Sequence, residues 1–184
     1  MPGQVPVIIG VSGKAGSGKT TFANFLKDEF KNRSISACVI NYADLVKFIS
    51  KEYFGWNGEK DEWGRTLIQT VGTEFGRNKT DINIWVDLVI QCVSVLKNAY
   101  DVIIIGDCRF PNEIERWSEK GQDMISIRID RTNYDTALTK AQQAHASETA
   151  LDDYGSFNYH VENSGSLKEF ADAAKAIAKD IIWN

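Results

Sequence analysis

The chain has few cysteines, no long apolar run and no block of like charge, and each absence removes a class of protein. Cys38, Cys92 and Cys108 are odd in number and none stands in a C-x-x-C pair. Neither a disulfide framework nor a zinc site therefore organises the fold, and the usage fits a reducing cytosol. No apolar stretch approaches the roughly 18 residues of a membrane span. No basic lead precedes the first apolar run, "VPVII", so the sequons at Asn32 and Asn78 read as chance matches. A net charge of −4 without runs of one sign argues against a nucleic-acid-coating surface, though not against a small basic pocket. Repeats, low-complexity tracts and linkers are missing too, so residues 1–184 are expected to form one domain.

What is present is an alternation. The runs 5–11, 37–42, 101–107, 124–130 and 159–163 read as strands buried mostly on both faces. Helical patterns fill the intervals at 19–31, 44–54, 64–76, 80–99, 111–120, 133–144 and 166–182. The stretch "GWNGEKDEWG" (55–64) reads as a loop between two of them. Such alternation predicts an α/β fold of three layers, a five-stranded, mostly parallel sheet with helices on both sides.

Directly after the first strand stands G-x-x-x-x-G-K-T, Gly13 to Thr20. Gly13, Gly16 and Gly18 permit the backbone to turn successive N–H groups inward around an anion, and the next helix begins where its positive end faces the same point. Lys19 is placed to reach the β- and γ-phosphates and Thr20 to ligate Mg²⁺. This is the P-loop of a nucleoside-triphosphate binder. Gly13, Ala15, Gly16, Ser17, Gly18, Lys19, Thr20 and Thr21 are its candidate ATP-contacting residues.

Asp107 ends the strand "DVIIIGD", where open parallel sheets place their ligands. It is a candidate for Mg²⁺ or a substrate hydroxyl, or alternatively a cap for a helix. Cys108 follows it where hydrolytic motor ATPases keep an acid. "NKTD" (78–81) matches a guanine-reading motif, but it follows a helical segment, precedes the 101–107 strand, and has no D-x-x-G before it. Asp81 reads instead as the cap of the helix that follows. Transfer of a phosphoryl group to a small acceptor is left, and that chemistry needs cations around donor and acceptor phosphates. The candidates are Arg65, Arg77, Arg109, Arg128 and Arg131, with Arg109 favoured by its place in "DCRFPNE" and its bidentate fork.

The segments "GVSGKAGSGKTTFANFL", "YADLVKFI", "GRTLIQTVGTEFGR", "INIWVDLV", "VIIGDCRFPNEIE", "HASETALDDY" and "ENSGSLKEF" run in order over most of the chain. Together they resemble the deoxynucleoside monophosphate kinases of bacteriophages and their bacterial relatives, enzymes similar to adenylate kinases. The resemblance implies a helical monophosphate-binding part at about 44–99 and a short lid at about 131–148. It implies ATP and a deoxynucleoside monophosphate as substrates, a homodimer, and a cytosol, bacterial or phage-infected. Ala43, Asp44, Gly72, Thr73, Arg77, Trp85, Asp107, Arg109, Asn112 and Glu113 are then expected at the acceptor, with His145 and Glu148 on the substrate side.

Each of these has a plainer reading. Trp63 and Trp85 fit a core, His145 a structural hydrogen bond, and Ser147–Glu148 a helix start. A mid-helix Gly72 costs about 1 kcal/mol against alanine, which close backbone approach or close packing would explain. In the lid, Arg131 is preferred over Arg128 as the cation closing on the phosphoryl group. Asn163, Gly165 and Ser166 are expected beside the adenine, with Ser166 and Glu169 forming a capping box. A dephospho-CoA kinase and a nucleotide-dependent switch or ATPase with a macromolecular partner are the competing readings.

Overall fold

A computed structural model describes residues 5–132 and 134–183. Strands β1 (Val7–Ser12), β2 (Ala37–Ile40), β3 (Val102–Cys108), β4 (Met124–Asp130) and β5 (Tyr159–Glu162) form one sheet in the order β2-β3-β1-β4-β5. Every neighbouring pair is parallel. Side chains alternate across it, as a period of two demands. Ile103 and Ile105 join one core with Ile8, while Val102 and Ile104 join the other with Ile9, Val11, Ile127 and Ile129.

The second core is closed by α1 (Lys19–Asn32) and α8 (Leu167–Trp183), with the Phe22 and Phe170 rings packed at a 45° tilt, 5.0 Å between centres. The first is closed by α2 (Ala43–Phe54), α4 (Ile84–Leu96) and α5 (Asn112–Glu119), together with a helix that changes pitch. It begins as α3 (Glu62–Gln69), N-capped by the Asp61 carboxylate, and continues as a π-helix over Thr70–Asn78. The loop expected at 55–64 lies between α2 and α3, opened by Gly55 at φ 71° and closed by Asp61.

The expected helix at 64–76 is therefore one element with two geometries. Gly76 lies against the Trp85 indole so closely that a Cβ would stand 2.6 Å from the ring. Gly72 is not crowded in that way, since its nearest neighbour would be Val46 at 3.5 Å. What Gly72 supplies is its carbonyl, which accepts from Trp85 Nε1 at 2.7 Å. Widened π turns shift carbonyls out of the ordinary ladder and occur frequently at functional sites.

Two patterns resolve differently from their periodicity. The helix expected at 80–99 starts at Ile84; Asp81 caps the preceding turn, accepting from Asn83 N at 2.7 Å. The helix expected at 133–144 begins on Asn133, outside the described residues, and reduces to α6 (Lys140–Gln143), followed by α7 (Ala146–Thr149). Thr139 and Gln142 form a capping box that begins α6, and Arg131 and Tyr134 are drawn away to backbone carbonyls of another loop. Tertiary contacts here outweigh helical pattern. Trp63, expected in the core, is 52% exposed.

Replacing Gly76 by alanine is expected to lower the unfolding free energy by about 1–3 kcal/mol through overpacking against Trp85. Gly72→Ala is expected to stay within about 1 kcal/mol of the parent. Denaturant unfolding of both variants checks the contrast.

Candidate active site

The carboxyl ends of β1, β2 and β3 open into a cleft of about 720 Å³. Its floor is the P-loop. Gly13, Gly16 and Gly18 have φ of 145°, 79° and 103°, and at Gly13 a Cβ would meet Ile129 O and Ser17 Oγ, each at 2.5 Å. α1 begins at Lys19 with no side chain capping its first turn. Ala15, Gly16, Gly18, Lys19, Thr20 and Thr21 line the cleft, whereas Gly13 and Ser17 are buried beneath it.

Lys19 is folded back, donating from Nζ to Gly13 O at 2.7 Å and Lys14 O at 2.9 Å. Burial first, and the Arg109 charge second, pull its ammonium down to about 7. Asn163 braces the loop from outside through Nδ2 to Ser17 O at 2.9 Å. Ser166 and Glu169 make the expected capping box at the start of α8, with Gly165 pressed against the Glu169 carboxylate. None of Asn163, Gly165 and Ser166 forms part of the cleft wall.

The opposite wall comes from α2, α3 and the π-helix. Arg65, Ile68, Gln69, Gly72 and Thr73 face the cleft at helical spacing, joined by Ala43, Lys47 and Trp85. Arg77 lies at the back, 6% exposed at its side chain, paired with the 2%-exposed Glu113 carboxylate through Nη2. It also donates to Ile82 O at 3.0 Å and lies 4.1 Å above the centre of the Phe110 ring. Glu113 accepts in addition from the backbone N–H of Arg109 and of Phe110. Burial pushes its carboxyl up, and Arg77 opposes that shift.

Of the roles read for Asp107, the structure shows the helix cap, made from a position on the cleft. It lines the cleft, and its two oxygens accept from Tyr42 N at 2.8 Å and Ala43 N at 3.0 Å, capping α2 from the end of β3. Burial raises its pKa while those backbone bonds oppose the rise. Its neighbour in expectation, Asp44, is exposed, holding Asn41 N at 3.0 Å and Lys47 at 3.0 Å outside the cleft wall. Asn112 likewise stands outside that wall, tying α5 to Ile82 O and to Asn83.

From the far side, Arg131 donates to Gly16 O at 3.0 Å and Tyr134 to Ala15 O at 2.5 Å, so both grip the P-loop. Arg128 turns instead to Asp130 at 2.9 Å and Asp152 at 3.6 Å. Glu148 lines the cleft, bonded to Ala15 N at 2.8 Å and to Arg109 at 2.6 Å. His145 is the N-cap of α7, accepting from Ser147 N at Nδ1, with Nε2 3.5 Å from Glu74. The cap expected of Ser147 thus belongs to His145, which stays out of the cleft wall.

Sequence reasoning passed over Lys47, Gln69 and Tyr134. The first two were legible as positions four residues from Ala43 and from Arg65 on cleft-facing helices. Nothing local marked Tyr134, because its partner is far away in the chain.

Residues 34–173 match the family described as deoxynucleotide monophosphate kinase. The chain belongs to that family. The match starts after the P-loop and takes in "DCRFPNE" together with "VGTEFGR" and "HASE", the last two being the segments that the competing dephospho-CoA kinase reading does not explain. A protein of Acanthamoeba polyphaga mimivirus, provisionally named a deoxynucleotide monophosphate kinase, is 28% identical over 89% of this chain and 92% of its own. The deoxynucleoside-5′-monophosphate kinase of Escherichia phage T5 is 36% identical over 47% of this chain and 34% of its own. Among solved structures, a sugar kinase from Janibacter sp. HTCC2649 shares the fold, with a TM-score of 0.52 at 14% identity over 93% of each chain. The enzyme is a phosphotransferase of the kinase type, and its fold is the three-layer P-loop architecture expected of the sequence. No helix among the described residues is long and apolar enough to cross a membrane.

Two outcomes follow from the charges. Nucleotide phosphate favours the ammonium form of Lys19, so binding above pH 7 must take up a proton. ADP affinity is expected to fall up to about tenfold per pH unit between 7 and 9, and calorimetric titration at several pH values checks it. Glu113→Ala leaves the Arg77 charge buried alone and is expected to destabilise by about 3–5 kcal/mol, measured by denaturant unfolding.

Proposed function

We propose that this kinase moves the γ-phosphoryl group of ATP onto a deoxynucleoside monophosphate, releasing ADP and the diphosphate. The observation that carries the reading is the continuity of the cleft. One cavity runs from the P-loop to the α3 and π-helix wall, with Lys19, Arg77, Arg109 and Arg131 all on its lining. Phosphoryl transfer is largely positioning plus neutralisation of charge, and such a ring supplies both.

On this reading the P-loop N–H groups and Lys19 hold the donor phosphates. Thr20 and Asp107 offer hard oxygen donors that would hold Mg²⁺, which would supply neutralisation of phosphate charge there. Among the described residues no group of three or more His, Cys, Asp or Glu is placed to hold a metal; that fits an ion completed by substrate phosphates and water rather than by a protein cage. The acceptor phosphate lies between Arg109 and the Arg77 end of the cleft, and its oxygen attacks directly, without a covalent intermediate. Gly72, Thr73 and Trp85 border the nucleoside. The helical part at 44–99 serves as the acceptor side and the 131–148 segment as the lid, keeping water from the transferring group. Asn163, Gly165 and Ser166 act at one remove, by fixing the loop and the start of α8. Both substrates are small molecules, and no nucleic acid takes part.

The test is ADP release from ATP with each nucleoside and deoxynucleoside monophosphate added in turn. Deoxynucleoside diphosphate is expected to appear with at least one of them, and ADP release independent of any acceptor would overturn the reading. Arg109→Ala is expected to lower kcat/KM for the acceptor at least about 100-fold, equivalent to about 2.7 kcal/mol. Retention within a few-fold would remove Arg109 from the acceptor site.

A further inference from the structure

One carboxylate in the cleft is seated on groups that suit a phosphate. Glu148 Oε2 accepts from the Ala15 N–H of the P-loop at 2.8 Å, and Oε1 accepts from Arg109 Nη1 at 2.6 Å. The side chain is 7% exposed. Three cations from three segments, Lys19, Arg109 and Arg131, line the same cleft. Lys19 and Arg109, the two of these turned away from open water, are costly to place together without a counter-anion, and Glu148 supplies one from within the chain.

A backbone N–H carries a single hydrogen. Ala15 cannot donate fully to Glu148 and to a phosphate oxygen at once, and two anions a few ångströms apart in a site of low dielectric repel strongly. The chain on either side of Glu148 is fixed, by Gln142 on α3 and by Leu151 in the core, so what is free to exchange partners is the Glu148 side chain and the short helix that carries it. α7 has four residues, too few for a cooperative helix. His145 caps it through Ser147, and the His145 contact to Glu74 is 3.5 Å long. Toward the P-loop the grip on α7 is the pair of bonds made by Glu148 itself and, three residues beyond the helix, the Lys14–Asp152 ion pair at 2.9 Å, with Arg109 also reaching Ser147 O at 3.3 Å.

We infer that Glu148 is a resident stand-in for the donor's terminal phosphate. Donor binding takes over the Ala15 N–H and expels the carboxylate. The Arg109 guanidinium then exchanges its carboxylate partner for the phosphoryl group in transfer. Glu148 is a positioning residue, because it acts through Arg109 and the loop. The inference rests on the kinase reading above and deepens it, since it makes arrival of the donor the event that releases the acceptor-side arginine.

The decisive measurement is the affinity of Glu148→Ala for the non-hydrolysable β,γ-imido analogue of ATP. A residue that merely braced the site would weaken binding when removed, whereas a stand-in competes, so its removal tightens binding. The dissociation constant is expected to fall at least fivefold. The ligand-free melting temperature is expected to drop, and that of the analogue-saturated variant to approach the saturated parent. Glu148→Gln, which removes the charge and keeps an acceptor oxygen, is expected to lie between the two, and it carries the same test if the alanine variant does not fold. Unchanged or weaker affinity in a folded variant overturns the inference and leaves the kinase reading standing. A parent that neither binds the analogue nor phosphorylates any monophosphate removes the kinase reading, and this inference with it.

Discussion

The Glu113 carboxylate, shut away from water, fixes the back wall of the cleft, the side proposed for the acceptor. A buried charge must be paired and fully hydrogen-bonded or it neutralises, and Glu113 meets the requirement from three directions. It takes the Arg77 guanidinium from the π-helix and two backbone N–H groups from the turn that ends β3. Its own carbonyl accepts from the Tyr42 hydroxyl at 2.6 Å, and Tyr42 in turn accepts from Trp117 Nε1 at 2.8 Å. The beginning of α2, the end of β3, the start of α5 and the π-helix are thereby joined through one residue.

That arrangement is better understood as specifying position than as adding stability. Pairing two buried ions roughly offsets their desolvation, so a well-packed apolar pair would hold the wall as firmly. It would not aim the wall. With the backbone of Arg109 fixed by Glu113, the guanidinium is left to be placed by what lies above it, at present Glu148. Asp107, two residues before Arg109, repeats the logic, its oxygens bonded to the N–H groups of Tyr42 and Ala43. On the proposed reading the carboxylate that faces substrate is also the one that caps α2, so a substitution there would disturb both roles together.

The sheet was legible because strands buried on both faces are continuous apolar runs, and the P-loop because its glycines are required by backbone geometry at fixed spacing. All five strands fall where the runs predicted, within a few residues at their ends. Less legible were features decided by distant partners. Asp44 and Asn112 sit beside cleft residues in sequence, yet their side chains are taken by Asn41, Lys47, Ile82 and Asn83. Nothing in "RTNYDTALTKAQQ" announces that Tyr134 will reach the carbonyl of Ala15, and that reach replaces the helix its periodicity favours. The π-helix was signalled only as a glycine that disagreed with its surroundings. Gly72 marked the place, while Gly76 carries the steric demand.

The segment from Arg131 to Thr149 touches both walls, and the two joins differ in kind. Toward α3 it is anchored by Gln142, 4% exposed, whose amide donates to Glu62 O and Thr66 Oγ1, each at 3.1 Å, while its backbone carbonyl faces Gln69 at 3.5 Å. Toward the P-loop it holds by Arg131, which is exposed, by Tyr134 and by the Glu148 carboxylate. Leaving the buried Gln142 amide unpaired has nothing to offset it, whereas Arg131 is exposed to water and a phosphate can take the place of the Glu148 carboxylate on Ala15 N–H and Arg109. The weaker join is therefore the one to the donor loop, and the segment belongs mechanically to the acceptor wall. On the proposed reading, donor phosphates entering the loop would meet the surface that gives way most readily, while the acceptor surroundings keep their shape.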